Sequence, residues 1–211
     1  VYVYNASHYE YGTVTATAND DGSFGSGLSG TLCIQGETGD RIELHVVGGN
    51  GDERVYTFSQ LISEDHQTVA MGPAGGTFTS LDKATGTVIA TIDVPAGAFD
   101  EGATVTVRSG SLASQAPVPA GFEAGSPIQV EMSAIAKKEI AVVVPAPAGW
   151  DLSNPSTQFW LVRTVTHGPD NAKSPMVLDT MRPTVGANGA PALATNSPPF
   201  PGVNQNAELS V

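Results

Sequence analysis

Between Thr87 and Val107 apolar and polar residues alternate with a period of two, break, and resume. Val88, Ala90, Ile92 and Val94 fall on one face, and Thr91 and Asp93 on the other. After the break Val105 and Val107 return to the inward face, with Thr104, Thr106 and Arg108 outward. One buried and one wet side is the pattern of half-buried β-strands. The break reads as a corner. Pro95 has no N–H and ends the ladder. Gly97 supplies a backbone free of Cβ sterics. Phe99 is placed to fold back on the core edge, and Asp100-Glu101-Gly102 makes an exposed turn.

The same alternation recurs along the chain. Residues 1–4 and 13–18 read as strands, and Asn19-Asp20-Asp21-Gly22 as a turn. Ile42, Leu44 and Val46 point inward, with Arg41, Glu43 and His45 outward. Gly48-Gly49-Asn50-Gly51-Asp52 is a hairpin signal, with 55–58 as the returning strand. Residues 64–76 are polar, then rich in Gly and Pro, and read as a linker. Further strands are expected at 77–81, 88–94, 104–109, 127–132, 140–144, 157–165, 176–180, 192–195 and 207–211, with an irregular crossover at 114–125 and a polyproline-like stretch at 196–202. Helical periodicity is scarce; the best segments are 57–62 and 134–138. The expected fold class is all-β, with two β-sandwich domains in tandem at 1–70 and 71–211.

Composition agrees. With 24 glycines, 15 prolines and only 14% charged residues among 211, the chain has the profile of many short strands punctuated by turns. A net charge of -12 argues against nucleic acid, whose phosphates demand a basic surface, and against anionic lipid. The single cysteine, Cys33, allows no intrachain disulfide and sits in a strand pattern that predicts a buried, inert thiol. The longest apolar run, 140–144, is too short to cross a bilayer. Val1 already reads as strand interior, which predicts a portion of a longer protein.

Two resemblances follow from these residues. Thr13-Val14-Thr15-Ala16-Thr17-Ala18-Asn19-Asp20-Asp21-Gly22-Ser23-Phe24, then residues 39–46 and the Gly-Asn-Gly turn, resemble bacterial immunoglobulin-like repeats of surface proteins. The repeat's usual opening strand is missing before Val1, which would expose an edge for a neighbouring subunit or upstream chain to fill. Val94-Pro95-Ala96-Gly97-Ala98-Phe99, followed by an acidic turn and Thr-Val-Thr-Val, resembles the β-sandwich family shared by ankyrins, netrin receptors and bacterial surface proteins. That resemblance implies an immunoglobulin-like, structural sandwich at the surface of a bacterial cell or outside it, with no reaction attached.

Candidate chemistry is sparse. Some relatives of this sandwich cleave themselves at a His-Phe-Ser tripeptide, whereas His8, His45, His66 and His167 are followed by Tyr9, Val46, Gln67 and Gly168. There is no G-x-S-x-G elbow and no close His pair. Asp20, Asp21, Asp52 and Glu53 offer hard oxygen ligands in turns and are the candidate calcium ligands, although neither turn fits the EF-hand spacing. Tyr2, Tyr4, Tyr9 and Tyr11 crowd the start of the chain, as a partner or sugar surface or as cross-strand pairs that stiffen a hairpin. Trp150 and Trp160 read as core or loop anchors. Asn5-Ala6-Ser7 is a glycosylation sequon. The expected role is a non-catalytic spacer, adhesin stalk or fibre subunit, bound to neighbouring domains or identical subunits through strand edges. The alternative is a carbohydrate-binding module holding glycans on aromatic rings.

Overall fold

The computed structural model describes residues 1–17, 34–36, 40–58, 60–187, 189–196 and 202–211. The expected turn at Asp20 and Asp21, the strand around Cys33 and most of the proline-rich stretch near the end lie outside them. Strands β1 (Tyr2–Asn5), β2 (Thr13–Thr15), β3 (Ile42–Val47) and β4 (Glu53–Phe58) form one antiparallel sheet in the order β2-β1-β3-β4. The second sheet has eleven strands: β5 (Gln60–Ile62), β6 (Thr68–Met71), β7 (Gly76–Leu81), β8 (Val88–Val94), β9 (Ala103–Ser109), β10 (Ile128–Met132), β11 (Ala141–Pro145), β12 (Phe159–His167), β13 (Ala172–Val185), β14 (Pro191–Thr195) and β15 (Ala207–Ser210). Their order is β5-β6-β9-β10-β15-β12-β13-β14-β11-β8-β7, antiparallel throughout.

This sheet rolls up almost to closure. The Leu81 N–H at the end of β7 donates to the His66 carbonyl just before β6, and the buried Ser80 hydroxyl donates to the Val107 carbonyl on β9. Rolling removes most of the long edge that an open sheet of this width would present. The interior is one continuous cluster, with Val69, Met71, Ile92, Val105, Val107, Leu161, Leu193 and Leu209 fully buried. The fold class is therefore all-β, built of two sheets.

The corner at 95–102 forms as its sequence dictates. Gly97 and Gly102 take φ of 73° and 90°, and Ala98 and Phe99 are buried. Residues 57–62 and 134–138 are not helical: the first spans the end of β4 and all of β5, and the second is a bend. Residues 64–76 are not a bare linker, because they hold β6, whose Val69 and Met71 are fully buried. A division at 70/71 falls inside that strand. The chain passes from the small sheet to the large one between Phe58 and Gln60. β13 is far longer than the 176–180 expected, and it accommodates two prolines. Pro175 pairs only toward β12 and Pro183 only toward β14, so each missing N–H falls where the ladder is one-sided.

Candidate functional site

The densest group of polar and aromatic side chains stands on one face of the four-stranded sheet. Alternation along β1 puts Tyr2 and Tyr4 on that face, and alternation along β3 adds Glu43 and His45. The register sets Tyr2 opposite His45 and Tyr4 opposite Glu43. Glu53 enters from the start of β4. The Tyr2 hydroxyl donates to Glu53 Oε1 at 2.5 Å, and the Tyr4 hydroxyl to Glu43 Oε2 at 2.6 Å. His45 joins the two halves, with Nδ1 2.7 Å from Glu53 Oε1 and Nε2 3.2 Å from Glu43 Oε2. Arg41 Nε lies 3.1 Å from the other oxygen of Glu43. The rings run nearly parallel: Tyr2 and His45 are 4.5 Å apart at 14°, Tyr4 and His45 5.2 Å at 29°, and Tyr4 and Tyr9 5.6 Å at 23°.

His45 is expected to point outward from the core. It does lie on the polar face, yet the flanking tyrosines leave it only 8% exposed. Desolvation alone would lower its pKa. Hydrogen bonds to Glu53 and Glu43, with their charges, outweigh that and hold it above the ordinary histidine value. The Tyr4 and His45 hydrogen bonds pull Glu43 below the ordinary carboxylate value, and those of Tyr2 and His45 do the same for Glu53. The Tyr4 phenol, bonded to Glu43, is pushed up to about 12.

The chemistry of this arrangement is self-contained. An imidazolium donating from both nitrogens has no lone pair with which to take a proton, so His45 in this state is no general base. Each carboxylate accepts from a tyrosine and from the histidine. The network therefore ties β1, β3 and β4 together across three strands. Ring faces turned toward one another leave chiefly Tyr9, 68% exposed, open to solvent.

A second group closes the end of this sheet. Asn5 is fully buried and makes four hydrogen bonds. Its Nδ2 donates to Asp40 Oδ2 at 2.6 Å and to the Gln35 carbonyl at 3.1 Å, and its Oδ1 accepts from the Ser7 and His8 backbone N–H groups. In the folded chain the sequon asparagine is thus enclosed and its amide nitrogen occupied. Tyr11 stacks on His8, 5.1 Å away at 21°. His8 in turn lies 2.8 Å from Glu10 and 3.4 Å from Asp40.

The four acidic candidates for calcium do not come together in what is described. Asp52 is exposed and accepts from the Asn50 amide in its own turn, whereas Glu53 belongs to the histidine network. Asp20 and Asp21 fall outside the described residues, among which no group of three His, Cys, Asp or Glu side chains is arranged to hold a metal. The signal for the histidine network was present as Tyr2-x-Tyr4 and Glu43-x-His45, each an alternating pair on one strand face. What joins the pairs is register, which neither pair encodes. No protein-family model matches the chain, and none of the curated proteins compared with it matches either.

Proposed function

We propose that this chain is a non-catalytic structural module of a secreted or cell-surface bacterial protein, serving as a spacer, adhesin stalk or fibre subunit that joins its neighbours through strand edges. In this reading the two sheets belong to tandem immunoglobulin-like sandwich units. Val3 and Ile42 are buried on the face of the small sheet opposite the tyrosines, the face that the second layer of such a unit would cover. The compartment rests on the resemblance of the Val94–Phe99 corner to bacterial surface sandwiches.

One observation carries the proposal. β4 and β5 follow each other directly in the chain and form the outer edges of the two sheets; among the described residues β4 pairs only with β3, and β5 only with β6. Along this edge Val55, Tyr56 and Ile62 are about half exposed. An open edge bearing apolar side chains is a template for another strand. Natural monomers blunt such edges with charge, and Glu53 and Arg54 sit only at the start of β4. The experiment is sedimentation of the full chain over a concentration series, alone and as Val55→Lys. Reversible association that the lysine abolishes supports edge joining. A monomer at all concentrations, or association indifferent to the lysine, removes it.

A further inference from the structure

A cleft of about 410 Å³ opens on the outer surface of the large sheet, between the 146–158 loop and the β12–β13 pair. That volume lies within the range of small-molecule sites. Its floor is set by strand alternation. Trp160 stands outward between buried Phe159 and Leu161, opposite Thr180 in the register; Thr180 and Arg182 flank buried Met181 on the neighbouring strand. Pro155 and Pro183 add apolar walls, and Gln158 adds an amide. Phe122, half exposed on the 110–127 crossover, lies 5.5 Å from the Trp160 ring at 41° and extends the aromatic surface beyond the cleft.

The overhanging loop is held in place from both sides. Trp150 stacks on Phe159 at 5.8 Å, and Trp150 and Leu152 pack against the core. Two successive side-chain turns follow: Asp151 accepts from the Ser153 N–H and hydroxyl, and Asn154 Oδ1 accepts from the Ser156 N–H. A loop anchored and turned in this way does not have to be ordered by its ligand, which lowers the cost of binding. Among the described residues lining the cleft, Arg182 is the one charged side chain, and none of the ion pairs or hydrogen bonds found among the described residues engages it.

We infer that this cleft binds an acidic saccharide, a uronate-type sugar whose apolar ring face lies on Trp160 and whose carboxylate meets Arg182. An aromatic ring beside proline walls matches the C–H face of a pyranose. The hydroxyl and amide groups of Thr180 and Gln158 match its hydroxyl rim. A guanidinium fork is the side chain suited to bidentate carboxylate recognition. The chain's net charge of -12 repels anions at long range, so selection for the anionic sugar over a neutral one comes from close-range pairing of its carboxylate with Arg182, the one cation among the described residues lining the cleft. The cleft and the β4 edge lie on different sheets, so loss of edge joining leaves sugar binding intact, and the converse.

The test is titration of the full chain with tri-galacturonic acid and with neutral galactotriose, read by tryptophan emission and by calorimetry. Saturable binding of the uronide is expected, with the neutral sugar weaker by about tenfold or more. Arg182→Gln, a change at an exposed side chain, is expected to erase that preference, and Trp160→Ala to abolish the emission change while Trp150 still reports a folded protein. Four results would overturn the inference: no binding at millimolar sugar, equal affinity for the two sugars, a preference unaltered in Arg182→Gln, or a glutamate-rich peptide binding as tightly as the uronide.

Discussion

Gly75 offers the sharpest test of how the corner at 95–102 is built. It sits in the turn between β6 and β7 with φ of +70°, directly under the corner, and a Cβ placed there would stand 2.1 Å from the Val94 carbonyl oxygen, 2.9 Å from the Pro95 carbonyl carbon and 3.0 Å from the Ala96 nitrogen. All three are backbone atoms, so no side chain can swing aside. Gly75→Ala must push the two turns apart by an ångström or more. That movement strains the Gly97 N–H bond to the Pro73 carbonyl, at 2.8 Å, and the pairing of Gly76 with Val94. The left-handed backbone costs an L-residue about 1–2 kcal/mol. Weakened hydrogen bonds add about 1 kcal/mol, and forced backbone displacement about 1–3 kcal/mol. The expected loss is roughly 4 kcal/mol. Gly121→Ala is the control: its φ is +88°, and a Cβ there meets nothing within 4 Å, so only the backbone term applies. Both tryptophans lie on or beside the large sheet, so their emission on heating follows the right unit. Gly75→Ala should melt below Gly121→Ala by about 4–10 °C. Equal melting of the two variants would refute the close approach and leave only backbone conformation at work.

Four further outcomes are expected. The histidine network stabilises the small sheet within a pH window: the raised His45 pKa means its contribution is present below the unfolded value near 6.5 and lost as pH rises through the folded one, while the lowered Glu43 and Glu53 values mean theirs is present above about 4.5 and lost as pH falls further. All five tyrosines lie in the first 56 residues, so tyrosine near-UV circular dichroism should hold across that window and fade on both sides; a signal flat from acid to alkali would show that the network contributes nothing. Asn5→Asp sets a second carboxylate against Asp40 and removes two donors, at a cost on the order of 3 kcal/mol in the same tyrosine signal, with tryptophan emission unchanged. Leu193→Ala, at a fully buried position of β14, should cost about 3 kcal/mol by denaturant titration of tryptophan emission. His45→Phe keeps a ring between the tyrosines while leaving two acids without their shared cation, so it should lower small-sheet stability more at pH 6 than at pH 9; equal loss at both would put the ring, not the charge, at the centre of the network.

Much of the strand plan was legible because its causes are local. From Ala90 to Val94 the strand alternates in sequence and in burial alike, and the corner carries its own proline and glycines. Where prediction failed, a distant partner decided. Thr68–Met71 is four residues long in a Gly- and Pro-rich neighbourhood, and becomes a strand only because β9 pairs with it. β13 runs through two prolines only because each faces an unpaired side. Residues 57–62 carry a weak helical pattern that pairing with β3 and β6 overrides.

The same division holds for function. Alternation and turn chemistry determined that this chain is built of antiparallel strands, because side-chain direction repeats every two residues whatever the partner. Strand order, the rolling of eleven strands nearly into a barrel, the union of Tyr2-x-Tyr4 with Glu43-x-His45, and the placing of Trp160 and Arg182 along one cleft were decided by the tertiary structure alone. Each depends on register between segments up to scores of residues apart, and a two-residue period carries no record of which strand will lie alongside.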